Sequence, residues 1–183
     1  MIDFRAPTLL TDRLRLRLAK PSDLDAYIEF RGSERSRTTG GPYDAPTAFS
    51  QLSSIVGHWQ IRGFGRFIVA DRHSDEPLGV VGPYHPLDWP EPEIAWTVFG
   101  NAEGKGIAYE AAQAALGYAY HGLGWTTAMS AINAGNDRSA ALAERLGATC
   151  ESTFEHPTFG PLNIWRHRGP DAYPAPTYGD QDD

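Results

Sequence analysis

The stretch from Glu93 to His121 restricts the fold of this chain more than any other. Glu93-Ile94-Ala95-Trp96-Thr97-Val98-Phe99 reads as a strand, Gly100 to Gly106 as a glycine-containing turn, and the residues that follow as a long helix to about His121. Ala108, Ala111, Ala112, Ala115, Leu116 and Ala119 make the apolar side of that helix. A face built mostly of alanine allows a helix to approach a sheet closely. The entrance to the helix is Glu103-Gly104-Lys105-Gly106-Ile107-Ala108. The first four N–H groups of a helix have no internal partner and form the positive end of its dipole. Glycines at 104 and 106 let an anion reach those amides, and Lys105 adds charge, so the turn is a candidate phosphate cradle. A sharp corner would use the same residues.

Two other phosphate loops fail on these residues. A nucleotide-triphosphate loop of the form G-x-x-x-x-G-K-[ST] occurs nowhere. The dinucleotide fingerprint G-x-G-x-x-G meets Tyr109 at its third glycine, and about 20 residues further on, where an acidic ribose ligand belongs, Trp125 to Ser130 hold no acid.

The other segments supply the remaining elements. In TDRLRLRLA, Leu14, Leu16 and Leu18 alternate with Arg13, Arg15 and Arg17, a strand with one wet face. Ser22 can cap a helix carrying Leu24, Tyr27 and Ile28. A polar loop at 33–46 leads to a second helix from about Thr47, with Phe49, Leu52, Val56 and Trp59 on one face. Strands follow at 66–70 and 78–84, then a proline-rich connection at 82–92. Past the alanine-rich helix come a strand at 125–132, a helix capped by Asn136 with Leu142 and Leu146 inward, and two strands at 148–154 and 162–168. The order β-α-α-β-β-β-α-β-α-β-β does not alternate strictly. It excludes a regular doubly wound fold and predicts an α/β chain of the α+β kind, a mixed sheet flanked by helices. The domain is expected to span 1–168. The remainder, 169–183, is proline-rich and acidic and reads as a poorly ordered tail.

Composition narrows the function. Sixteen basic against 23 acidic residues give a net charge of −7, which builds no basic face for nucleic acid. No apolar run approaches a membrane span, and the N-terminus lacks the pattern of a secretory signal, so a cytoplasmic protein is expected. The single cysteine, Cys150, excludes a disulfide framework within one chain and supports no nucleophile. The six histidines show no ligand spacing, and no metal is expected. His85 and Trp89 are candidates for the wall of an acceptor pocket, and Arg35 and Arg37 for binding an acidic acceptor; loop packing and solvated charge are the plainer readings of each pair.

The string PEIAWTVFGNAEGKGIAYEAAQAALGYA resembles the cofactor motif of the GNAT N-acetyltransferases. The family pattern [RQ]-x-x-G-x-[GA] falls on Glu103-Gly104-Lys105-Gly106-Ile107-Ala108. Asn136-Asp137-Arg138-Ser139 and Glu144-Arg145-Leu146-Gly147-Ala148 resemble the family's N-x-x-S and E-K-L-G-F strings, and LLTDRLRLRLAKPSDLDAY resembles the opening of the RimJ/RimL-type branch. The similarity covers roughly 8–168. It implies that the mixed sheet is mostly antiparallel, and that the chain is an enzyme that moves acetyl from acetyl-CoA to a primary amine, either a protein N-terminal α-amine or a small-molecule amine, by direct attack. The alternative is a non-catalytic acyl-CoA-binding or regulatory module on the same fold. Two copies could pair as a homodimer through the C-terminal strands.

The resemblance also implies roles. The backbone of Trp96, Thr97 and Val98 would bind the pantetheine arm as an added strand, and Glu103 to Ala108 would hold the diphosphate. Asn136 would contact the arm, and Ser139 would lie near the sulfur as a proton donor; a helix cap and a first-turn residue would look the same in sequence. Glu93, the glutamate of the Glu-Ile-Ala-Trp string, is the general-base candidate, against the reading of a solvated strand-edge carboxylate. One departure stands out: Glu103 sits where the family has Arg or Gln, and a carboxylate beside a diphosphate is repulsive.

Overall fold

The structure is a computed structural model that describes residues 6–179. Its nine described strands are Thr8–Leu10 (β1), Leu14–Arg17 (β2), Phe67–Asp71 (β3), Pro77–Tyr84 (β4), Glu93–Val98 (β5), Met129–Asn133 (β6), Thr149–His156 (β7), Gly160–Arg166 (β8) and Thr177–Gly179 (β9). They form one sheet in the order β7-β8-β6-β5-β4-β3-β2-β1-β9. Every neighbouring pair is antiparallel except β5 and β6, which are parallel and share the single aligned pair Glu93 and Met129. The α-helices are Leu24–Gly32 (α1), Ala45–Arg62 (α2), Ile107–Gly117 (α3) and Asp137–Arg145 (α4). The mixed, mostly antiparallel sheet flanked by helices is the architecture that the element order and the family resemblance together imply.

The alanine face does what its residues dictate. Ala111, Ala112 and Ala115 of α3 are fully buried, with Leu116, in a core shared with Leu14 and Leu16 of β2, Phe67 and Val69 of β3, Val81 of β4 and Ile94 of β5. A second core, on Tyr27, Phe30, Leu52, Ile55, Ile68 and Val80, seats α1 and α2 against the opposite sheet face. The alternation of β3 and β4 therefore feeds two cores, one on each side.

Three expectations are corrected. The face of α2 is shifted in part: Leu52 and Trp59 are buried as expected, but Ala48 and Ile55 complete the face, whereas Phe49 is 55% exposed and Val56 is exposed. Both sets have helical spacing, and contact with α1 selects the set containing the small Ala48. The arginine face of β2 is not wholly wet, because Arg17 is buried against Asp23 at 2.8 Å and bonds Asp75 at 2.7 Å. Ser22 does not cap α1; it lies in a 3-10 turn whose Asp23 carboxylate accepts the Lys20 N–H at 2.6 Å.

A further correction concerns the C-terminal segment, of which 180–183 lie outside the described residues. The folded body does not stop at 168. Residues 170–172 form a turn, Tyr173 is buried, and β9 adds to the sheet edge beside β1. The Tyr173 hydroxyl donates to Leu146 O at 2.8 Å, and its ring stacks on Tyr120 with centroids 5.7 Å apart. The backbone of Pro174 crosses α3 so closely that a Cβ at Gly117 would lie 2.2 Å from its carbonyl oxygen, so glycine is required there. Tyr173→Ala is expected to cost about 3 kcal/mol, as for other buried aromatic truncations, measured by urea denaturation. An unchanged midpoint would contradict this docking.

Candidate active site

The site originates in a break in the sheet. β4 and β5 pair along their whole length, from Tyr84 and Glu93 to Gly79 and Val98. On its other edge β5 pairs with β6 only at Glu93, and the two strands then diverge. Side chains bridge the fork in place of a ladder. The Glu93 Oε2 accepts the Ala131 N–H at 2.9 Å, and the Ser130 hydroxyl donates to Ile94 O at 2.6 Å. His167 Nε2 lies 2.9 Å from that hydroxyl, and burial pushes the imidazole pKa down to about 4, so the ring is neutral.

The divergence opens a cleft with two lobes that meet at Trp96, Thr97, Asn136 and Ser139. One lobe, of about 430 Å³, runs along Thr97 and Val98 to the turn before α3. Gly106 caps α3 in the left-handed conformation, φ 77°, with no side-chain hydrogen bond to the helix end. Gly104 has φ 73°, and open space surrounds the place of its missing Cβ. The helix end is fixed from outside: Glu110 accepts from the Thr11 hydroxyl at 2.5 Å and from Arg13 Nε at 2.7 Å. This lobe fits coenzyme A, because bare helix amides suit a diphosphate and an unpaired strand edge suits an amide-containing arm. Trp96, Thr97, Val98, Glu103, Gly104, Gly106, Ile107, Ala108 and Asn136 all line it. Lys105 does not: its side chain is exposed and its carbonyl accepts from Arg13 Nη1 at 2.9 Å.

Glu103 is not an isolated charge. Its Oε2 is shared by Arg35 Nη1 and by Arg138 Nη2, the latter at 2.9 Å. These guanidinium groups hold its carboxyl below the usual glutamate range against the opposing effect of burial. Two cations and one anion leave the mouth of the lobe net positive, so the repulsion that Glu103 implies in isolation is offset. Sequence reasoning does not find this triad, since Arg35, Glu103 and Arg138 belong to three separate elements.

The second lobe, of about 410 Å³, is walled by Tyr27, Tyr84, Trp89 and Phe159, with Glu93 among its lining residues. Glu93 is 4% exposed, and burial raises its carboxyl to about 7, with the Ala131 N–H and the Arg66 charge opposing. It is thus no solvated edge residue. Asn136 caps α4, its Oδ1 accepting the Ser139 N–H at 3.2 Å, and still borders both lobes. The Ser139 hydroxyl accepts from the Trp96 indole at 3.2 Å, which keeps its own proton available to the cleft. Trp89 lines this lobe; His85 does not, and its N–H donates to His58 Nε2. Arg37 lines neither lobe and pairs with Glu34, which borders the first. Among the described residues no cluster of three or more His, Cys, Asp or Glu is arranged to hold a metal, and no helix is long and apolar enough to cross a membrane.

A model of the acetyltransferase (GNAT) domain matches residues 13–149. The chain is similar to an acetyltransferase from Agrobacterium tumefaciens str. C58, at 33% identity over 92% of this chain and 98% of that one, TM-score 0.82. It shares its fold with a GNAT-family acetyltransferase from Bacillus anthracis, at 19% identity over 90% and 99% of the chains, TM-score 0.74. The same holds for RimL, a ribosomal L7/L12 alpha-N-protein acetyltransferase solved with coenzyme A, at 19% identity over 90% and 99%, TM-score 0.70. The chain belongs to the GNAT acetyltransferase family.

The triad gives a test by titration calorimetry with coenzyme A. Arg138→Ala is expected to weaken binding, and Glu103→Gln, which leaves both guanidinium groups unneutralised, to tighten it, each by about two- to fivefold, the scale of an exposed ion pair. Both changes should shrink as salt is raised. Weaker binding in Glu103→Gln would show that the carboxylate itself organises the site.

Proposed function

We propose that the protein is an N-acetyltransferase that moves acetyl from acetyl-CoA to a primary amine, a protein N-terminal α-amine or a small-molecule amine of the RimJ/RimL-type range, by direct attack and without a covalent enzyme intermediate. The observation that carries this reading is Glu93, a buried carboxyl raised to about 7 at the fork between β5 and β6, bordering a cavity walled in part by Tyr27, Tyr84, Trp89 and Phe159. A base poised near neutral pH suits an amine that must lose a proton to react.

Acetyl-CoA supplies the activated acyl group. The residues of this chain do the rest. The amides at the start of α3, with Arg35 and Arg138, hold the phosphates, and the free edge of β5 at Trp96, Thr97 and Val98 holds the arm. Glu93 takes the amine proton, directly or through a water. The nitrogen forms a bond to the acyl carbon as the carbon–sulfur bond breaks, the thiolate receives a proton relayed from water through the Ser139 hydroxyl, and Glu93 releases the amine proton to water. The non-catalytic alternative draws on Glu103, whose repulsion the ion pairs with Arg35 and Arg138 offset, and on the lack of a tyrosine in α4, where Ser139 takes the donor's place in this reading.

The test is thiol release from acetyl-CoA with an amine panel between pH 6 and 9. The rate should rise with pH through about 7 as Glu93 ionises, and Glu93→Gln should lower kcat by about a hundredfold and abolish that limb, with coenzyme A affinity little changed. Stability follows with the opposite sign. Between about 4.5 and 7 the folded state holds a proton that the unfolded chain has lost, so stability falls as pH rises through this window. A pH profile identical in wild type and Glu93→Gln would contradict the assignment.

A further inference from the structure

The aromatic lobe of the cleft holds two arginines that form no ion pair among the described residues. Arg31, in the last turn of α1, is 7% exposed. Its Nε donates to Gln51 Oε1 at 2.7 Å, its Nη1 to the Thr39 hydroxyl at 2.6 Å and its Nη2 to Thr39 O at 3.3 Å. Its guanidinium lies 4.6 Å from the Tyr43 ring centre. All of these partners are neutral. Arg66 lies over the Tyr84 ring at 4.3 Å, and its buried Nε has no hydrogen-bond partner. Both residues line the lobe that Glu93 borders.

The contrast within the same chain is informative. Arg17, equally buried, is met by two carboxylates, Asp23 and Asp75. Acidic residues outnumber basic ones by 23 to 16, so carboxylates are not scarce. Around Arg31 and Arg66 none of the described carboxylates lies at ion-pair distance: Glu93, which feels the Arg66 charge, accepts the Ala131 N–H, and Asp88 bonds His156 Nε2 at 2.9 Å. A buried cation without a counter-ion is costly, and guanidinium groups are built for forked contact with a carboxylate. A polyamine would bring further positive charge against these two and is disfavoured.

We propose that the acceptor is a small amine carrying a carboxylate on an aromatic or bulky apolar body, with Arg31 and Arg66 receiving the carboxylate and the amine turned toward Glu93. This narrows the transferase reading given above and rests on it. The body of such a molecule lies against Tyr27, Tyr84, Trp89 and Phe159, and a cavity of about 410 Å³ falls in the size range of small-ligand sites. Arg31 and Arg66 are specificity-determining residues here; neither takes part in bond making.

The experiment follows thiol release with phenylalanine, phenylalaninamide and phenethylamine, which share one ring and differ in the carboxylate. It adds the dipeptides Ala-Asp and Ala-Asn, and spermidine. Phenylalanine is expected to exceed its amide and phenethylamine in kcat/KM by about tenfold or more, mainly through KM. Arg66→Met should bring that ratio to about two or below, since the charge-assisted contact is lost. Arg31→Lys should lower the ratio in the same direction. Arg31 is buried, so Arg66→Met decides the matter, with calorimetry of coenzyme A as the check that the variant is folded. Equal use of the three ring compounds, or a ratio undiminished in Arg66→Met, overturns the proposal. A preference confined to Ala-Asp over Ala-Asn overturns the small-molecule assignment. Thiol release from none of the amines, with coenzyme A still binding, defeats the transferase reading itself and this proposal with it.

Discussion

One constraint shapes the molecule: β5 and β6 begin as neighbours and then part. A parallel pair normally continues its evenly spaced hydrogen bonds, yet here only Glu93 and Met129 stay aligned. The fork is stable because side chains take over the work of the ladder, Glu93 receiving the Ala131 N–H and Ser130 bonding the Ile94 carbonyl. A neutral His167 buttresses Ser130 from β8's side of the sheet. Beyond the fork, backbone that would be buried in an unbroken sheet lies open on a cleft. The same carboxyl that closes the fork borders the aromatic lobe, so the element that shapes the site also supplies its titrating group.

Charge is distributed with equal economy. The buried pair of Arg17 and Asp23, reinforced by Asp75 and Lys20, joins β2 to the entry of α1 and the turn after β3. Such a pair contributes little net stability, but breaking it leaves a charge stranded. At the cleft the pattern changes. Glu103 is flanked by two guanidinium groups at one end, and at the other Arg31 and Arg66 form no ion pair among the described residues. Both lobes are therefore suited to anions despite the acidic character of the whole chain.

Much of the fold was legible because it rests on short-range signals. The alanine stripe of α3, the glycines before it, the Asn136 cap and the order of elements are local patterns, and the sheet follows from them. The phase of α2 was not legible: Phe49 and Val56 satisfy helical spacing as well as Ala48 and Ile55, and only the packing of α1 distinguishes the sets. The C-terminal segment misled because proline and aspartate dominate its composition, while its docking depends on Tyr173 and on the missing side chain of Gly117. The residues of the site divide the same way. Those on β5 and the following turn are contiguous in sequence. The arginines facing the cleft come from α1, the loops and α4, and only the folded chain assembles them.

The central claim is that the open edge of β5 and the bare start of α3 form one continuous coenzyme A site. Amide NMR during titration with coenzyme A tests it residue by residue. The account predicts the largest shifts at Trp96, Thr97 and Val98 and from Gly104 through Ala108, with little change along β1, β9 or the exposed face of α2. Saturable shifts centred elsewhere, or no shifts at all, would contradict it.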